Sequence, residues 1–162
     1  MNRRRFLIST LGIIPASIFG SYAMSDNKTP TSHNDKIIKS NAEWAKLLTP
    51  EQYHILREEG TEPPHSSLLN DEKRTGIYAC AACDLPLFNS DMKYDSGTGW
   101  PSFFTSIEGN AETKLDFKLI YPRTEYHCAR CDGHQGHVFN DGPKPSGKRW
   151  CNNGLALKFI PS

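Results

Sequence analysis

Five cysteines and a short histidine-bearing segment carry most of the chemistry open to this 162-residue chain. Four of the cysteines form two pairs, Cys80-x-x-Cys83 and Cys128-x-x-Cys131, with 44 residues between the pairs. A two-residue gap lets one tight turn present both sulfurs, and two such knuckles can converge on a tetrahedral zinc ion with Zn–S distances of about 2.3 Å. The pairs sit in matching contexts, Tyr78-Ala79-Cys80-Ala81-Ala82-Cys83-Asp84 and Tyr126-His127-Cys128-Ala129-Arg130-Cys131-Asp132. Two half-sites of one kind point to a single shared ion with a closed shell, hence a structural one. Two disulfides in an oxidising compartment, or a thioredoxin-like redox couple, would use the same residues. No strand-helix-strand pattern surrounds either pair, which counts against the redox couple.

With four sulfurs given to a metal, Cys151 is left over in Lys148-Arg149-Trp150-Cys151-Asn152-Asn153. The thiolate is the reactive form of cysteine, and Arg149 is close enough in sequence to favour it. A buried, inert cysteine is the alternative. Upstream, His134-Gln135-Gly136-His137-Val138-Phe139-Asn140-Asp141 offers two imidazoles for proton delivery and an acid that could orient one of them. Ser96-Gly97-Thr98-Gly99-Trp100-Pro101-Ser102-Phe103 adds a glycine-framed indole that suits a binding wall or the core equally.

Further segments extend the pattern: Leu48-Thr49-Pro50-Glu51-Gln52-Tyr53, Gly60-Thr61-Glu62-x-Pro64, Arg123-Thr124-Glu125 and Arg149-x-Cys151-x-Asn153. With the knuckles and the histidine segment, they resemble, in order from about residue 40 to the C terminus, the B-type methionine sulfoxide reductases. The resemblance implies a mainly β fold, a small single domain of two antiparallel sheets with short N-terminal helices and a structural zinc site. It also implies that Cys151 is the nucleophile, with His137, His134 and Asn153 around a sulfoxide oxygen and Trp100 and Phe139 receiving the S-methyl group. Asp141 and Arg149 would be supporting residues. The implied activity is reduction of methionine-R-sulfoxide in peptides or proteins through a sulfenic acid on Cys151. Many members of that family carry a resolving cysteine where this chain has Thr98, so a thioredoxin-like or small-thiol reductant is expected to reset Cys151 directly. The chain departs from the family at Gln135, usually leucine, at Asn152, often aliphatic, at Gly154, commonly serine, and at Trp150, usually a smaller aromatic. A non-catalytic zinc module of the same fold is the alternative, but it would have no need of Cys151 or His137. A zinc deaminase would place a His-x-Glu segment ahead of a cysteine pair, and none precedes either pair.

The elements that must position these residues are short. Ser40-Asn41-Ala42-Glu43 has capping-box spacing, with Trp44, Leu47 and Leu48 on one helical face. Thr49-Pro50-Glu51-Gln52 starts a second helix, stopped by Gly60. From Thr75 onward, runs such as 76–80, 117–121 and 155–159 read as strands between glycine and proline turns.

Ahead of this domain, placed at residues 39–162, the chain opens on Arg3-Arg4-Arg5-Phe6-Leu7 and an apolar stretch ending in Ser21-Tyr22-Ala23. These are the parts of a signal peptide of the twin-arginine type, expected over residues 1–23, with residues 24–38 a flexible linker. A periplasmic location follows, and no membrane association once the signal is cleaved. An uncleaved anchor is the alternative, weakened by Gly12, Pro15 and Gly20. Without the three leader arginines, 16 Lys and Arg face 18 Asp and Glu. That balance disfavours nucleic acid as a partner, because phosphate recognition uses a concentrated basic face.

Overall fold

The computed structural model describes residues 35–118 and 121–162. The expected signal and most of the linker lie outside the described residues. Lys36 and Ile37, at the linker's end, already touch the domain: the Ile37 amide donates to the Arg130 carbonyl at 2.7 Å, and the Lys36 ammonium donates to Asp132 at 2.8 Å. No described helix is long and apolar enough to cross a membrane.

Helix α1 (Asn41–Leu47) begins where the Glu43 amide donates to Ser40 Oγ and the Ser40 amide donates back to the Glu43 carboxylate. Thr49 and Gln52 repeat the exchange at the start of α2 (Pro50–Glu58), with Pro50 where its missing N–H costs nothing. The chain leaves α2 through Glu59 in the left-handed region, one residue before the expected glycine. One residue of the expected α1 face is corrected: Trp44 and Leu48 are buried, but Leu47 is 62% exposed. The helix stops at Leu47 and turns extended at Leu48, which swings Leu48 inward in its place.

The β body has two antiparallel sheets among the described residues. The smaller contains β1 (Gly76–Cys80), β2 (Pro86–Asn89) and the last strand, β9 (Leu157–Pro161), in the order β2-β1-β9. The larger contains β3 (Lys93–Tyr94), β4 (Ser102–Phe103), β5 (Ala111–Asp116), β6 (Arg123–Cys128), β7 (His134–Phe139) and β8 (Arg149–Asn152), in the order β3-β4-β8-β7-β6-β5. The mainly β expectation holds, and the 76–80 strand lies where the sequence put it. The described residues of the expected 117–121 strand, Phe117, Lys118 and Tyr121, lie outside any strand. Asp116 closes β5 and Arg123 opens β6, so the run falls in the connection, where Phe117 and Tyr121 are exposed and Leu119 and Ile120 lie outside the described residues. Pro122, with no N–H to donate, precedes β6. In the 155–159 run, Leu155 and Ala156 belong to a 3-10 turn (Gly154–Ala156), and only then does the strand begin.

Aromatic rings from the two sheets meet between them. Phe88 stacks on Phe103 at 3.9 Å between centroids, Tyr78 meets Phe103 edge-on at 5.0 Å, and, within the larger sheet, Tyr126 meets Trp150 edge-on at 4.9 Å. Burial of side chains of this size contributes roughly 1.5–3 kcal/mol each. The family departure at Trp150, a partly buried ring, therefore packs against the core.

Candidate functional site

Directly opposed residues on antiparallel strands share a face. The register sets Lys114 opposite Glu125, Glu125 opposite His137, His137 opposite Cys151, and Cys151 opposite Ser102. One row across five strands thus carries the left-over cysteine and a histidine side by side. Gly136 makes the approach possible, since a Cβ there would lie 1.9 Å from the Cys151 carbonyl oxygen. That explains the glycine between the two histidines.

Cys151 opens into a cavity of about 130 Å³ whose walls include Trp100, His137, Phe139 and Asn153, as the sequence led one to expect, together with Thr61, Arg123 and Asn152. His134 is not among the lining residues. It is buried behind His137, ring centroids 5.5 Å apart, and its Nδ1 contacts the buried Glu125 carboxylate at 2.8 Å. Asp141 does not orient a histidine either; it takes two hydrogen bonds from Arg149, both 2.9 Å, in the turn after β7. The carboxylates that hold the imidazoles come instead from neighbouring strands: Glu125 of β6 holds His134, and Asp116 of β5 accepts from His137 Nε2 at 2.9 Å. Sequence reasoning assigned no role to Asp116, Glu125 or Arg123. The Arg123-Thr124-Glu125 motif was the available signal, but strand register, which brings these groups to the histidines, is invisible in a single sequence.

The electrostatics are those of a desolvated site. Burial pushes both His134 and His137 below the ordinary imidazole range, with Glu125 and Asp116 respectively pulling the other way. The Lys118 amide, His137 and Arg123 together hold the Asp116 carboxyl well below the usual range. Arg149 does favour the Cys151 thiolate, but burial outweighs it and the thiol is pushed up. The Thr98 hydroxyl, which bonds Ser96 Oγ at 2.8 Å, also favours the thiolate.

The other four cysteines form a second cluster at the ends of β1 and β6. Their sulfurs all lie within 4.8 Å of one another, with Cys80–Cys131 at 3.7 Å and Cys83–Cys128 at 3.5 Å. Four sulfurs at about 2.3 Å from a tetrahedral ion stand about 3.8 Å apart, so the cluster fits a metal. All five cysteines are free, so the paired-disulfide alternative does not describe this structure. The knuckles match in detail: the Asp84 amide donates to the Cys80 carbonyl at 2.9 Å and the Asp132 amide to the Cys128 carbonyl at 3.0 Å. Both aspartates are left-handed. Gln135, fully buried, donates Nε2 to the Cys80 sulfur at 3.4 Å.

Comparison with known proteins bears on the whole arrangement. The SelR domain profile matches residues 48–161. The chain belongs to the SelR family of B-type methionine-R-sulfoxide reductases. It is 50% identical over 139 residues to the peptide methionine sulfoxide reductase MsrB of Agrobacterium fabrum, covering 85% of this chain and 99% of that one. It is 52% identical over 128 residues to that of Pseudomonas putida, covering 78% and 96%. With the methionine-R-sulfoxide reductase B2, mitochondrial, of Rattus norvegicus it shares 50% over 135 residues, covering 78% of each.

One further residue organises this SelR domain. Glu62 is buried, its carbonyl accepts from Trp100 Nε1 at 3.0 Å, and its amide donates to Asn153 Oδ1 at 3.1 Å. Its carboxylate accepts from the amides of Gly154 and Leu155, capping the 3-10 turn before β9. Glu62 thereby ties two walls of the cavity together. The family departure at Gly154 has a local cause, since a Cβ there would lie 1.9 Å from Ser67 Oγ. Glu62→Ala should orphan both amides and lower stability by roughly 1–3 kcal/mol for each. Urea denaturation checks this, and an unchanged midpoint would show that the carboxylate carries no structural role.

Proposed function

We propose that Cys151 reduces methionine-R-sulfoxide in peptides or proteins to methionine, with His137 as proton donor and a structural zinc on Cys80, Cys83, Cys128 and Cys131. The observation that supports it is the direct opposition of Cys151 and His137 at one cavity walled by Trp100 and Phe139. A sulfoxide sulfur seated there would have its methyl group against the aromatic walls and its oxygen toward His137 and Asn153. The Cys151 thiolate adds to the sulfoxide sulfur while the oxygen takes a proton from His137. The hydroxyl then passes to the Cys151 sulfur as methionine leaves, giving a sulfenic acid. His137 Nε2 is engaged by Asp116, so Nδ1 is the ring atom that serves the cavity. Two molecules of an external thiol return the sulfenic acid to the thiol, releasing water and one disulfide. A non-catalytic module leaves the opposed Cys151–His137 pair without a use. The arginine-rich leader supports export to the periplasm by the twin-arginine route, where a thioredoxin-like or small-thiol donor would act.

The directions of the two pKa shifts set a pH profile. The reactive pair, thiolate with imidazolium, holds the same number of protons as the resting pair, neutral thiol with neutral imidazole. Its share is therefore constant between the two macroscopic ionisations. With His137 below its ordinary value of 6.5 and Cys151 above its ordinary value of 9.0, kcat/KM should be flat across neutral pH. It should fall on the acid side as His137 protonates ahead of the thiol's loss, and on the alkaline side as the second proton leaves. A rate that climbs steadily from pH 6 to 9 would rule out the pairing. His137→Ala should lower turnover by roughly 10²-fold.

The deciding assay uses the purified protein, dithiothreitol and a peptide carrying each methionine sulfoxide epimer. The expected result is consumption of the R epimer alone and no product with Cys151→Ser. Consumption of neither epimer by the folded protein would overturn the reading.

A further inference from the structure

Asp116 Oδ2 is shared. His137 Nε2 donates to it at 2.9 Å and an Arg123 amino group donates to it at 2.6 Å, while Asp116 Oδ1 takes the Lys118 amide at 2.8 Å. Arg123 faces Asp116 across the closing pair of the β5–β6 ladder and also lines the Cys151 cavity, so one side chain touches both the carboxylate and the substrate space. Its Nε is buried and has no hydrogen-bond partner.

We propose that Arg123 is a positioning residue for the reaction: by gripping the Asp116 oxygen that His137 uses, it governs how readily His137 releases its proton into the cavity. This rests on the reading of His137 as the acid.

An aspartate facing a histidine alone would hold the imidazolium as an ion pair and keep its proton. With Arg123 on the same oxygen, the carboxylate charge is already balanced, and protonated His137 stands beside a neutral pair. The other charged and titratable groups facing His137 do not supply this balance. Glu125, opposite it on β6, is bonded to His134 and paired with Lys114 at 3.1 Å. Cys151 on β8 is a neutral thiol at rest, Arg149 is bonded to Asp141, and the Lys118 ammonium is paired with Glu59. Burial is the largest influence lowering His137; Asp116 raises it and Arg123 lowers it. Among the described residues, the second dyad, His134 with Glu125, has no arginine on its carboxylate, and it does not line the cavity.

The experiment compares the full protein with Arg123→Met and Arg123→Lys, each checked for fold and zinc content. Two quantities are read: the His137 ring titration by NMR in the resting enzyme, and the acid limb of kcat/KM for the R-sulfoxide peptide. In Arg123→Met both should move to higher pH together, and Arg123→Lys, which restores a cation, should bring them back toward the parent. A merely structural role would lower the rate at every pH and leave the limb in place. If the NMR titration stays where it was in a folded Arg123→Met protein, the proposal is wrong. If the NMR titration moves and the rate limb does not, Arg123 does act on His137, and it is the assignment of His137 as the acid that fails.

Discussion

Cys128→Ser should yield a chain that neither keeps zinc nor folds cooperatively, whereas Cys151→Ser should do both. The difference follows from where the two sulfurs sit. Cys80 ends β1 in the three-stranded sheet and Cys128 ends β6 in the six-stranded sheet, so an ion held by both knuckles ties one sheet to the other. A structural zinc site of this kind supplies roughly 10 kcal/mol or more of folding free energy. A domain of this size has a net stability of only about 5–15 kcal/mol. Taking one ligand from a closed four-sulfur shell therefore removes most of what holds the fold. The three thiols left without a metal would also be held against one another, since the sulfurs of the cluster all lie within 4.8 Å. Cys151 lies in another part of the larger sheet, opposite His137 and outside the cluster, so serine there changes reactivity without touching the junction. Circular dichroism on thermal melting and zinc content per chain check both halves. A folded, metal-free Cys128→Ser protein of near-parent melting temperature would show that the cluster is not the junction this reading makes it.

What the sequence made legible and what it hid divide along physical lines. Capping boxes are local: Ser40 with Glu43 and Thr49 with Gln52 are three residues apart, and both helices began where those pairs put them. The knuckles are local too, and a two-residue gap fixes the turn that each sulfur needs. The cavity walls Trp100, Phe139 and Asn153 came from resemblance, since a buried indole and a wall indole look alike in composition. The partners of the histidines could not be read at all. Asp141 stood nearer in sequence than Asp116, but it is drawn to Arg149 on the adjacent strand, and Asp116 reaches His137 only because β5 folds back along β6. The net protonation of Cys151 could not be read for a similar reason. Arg149 is visible in the sequence as a neighbour that favours the thiolate, but the burial that overrides it is a property of the assembled sheet. The expectation of a strand at 117–121 meets context as well: Phe117 and Tyr121 lie in the connection between β5 and β6 and are exposed.

How the enzyme is reset gives the other large effect. Without reductant, the protein should make one equivalent of methionine per chain and stop, with Cys151 held as a sulfenic acid that dimedone labels. The four zinc cysteines are poor partners for that sulfenic acid, because each disulfide would take a thiolate from a closed site and forfeit much of roughly 10 kcal/mol. The position that could supply a partner is residue 98, whose hydroxyl is near enough to Cys151 to favour its thiolate. Threonine there has no thiol with which to attack. Thr98→Cys should therefore convert the stalled product: a disulfide forms between positions 98 and 151 with loss of water, dimedone labelling falls from about one equivalent to near none, and turnover comes to depend on a reductant able to open that bond. The parent chain should instead be reset by a thiol attacking Cys151 directly, leaving a mixed disulfide on that residue during turnover. Peptide mapping after a single turnover decides between the routes. In the parent, a disulfide from Cys151 to Cys80, Cys83, Cys128 or Cys131 formed at the rate of turnover would place a zinc thiolate in the cycle and overturn this account. In Thr98→Cys, persistent dimedone labelling would mean that the backbone at Gly97 and Gly99, both at positive φ, holds the side chain too far from Cys151 for the two sulfurs to join.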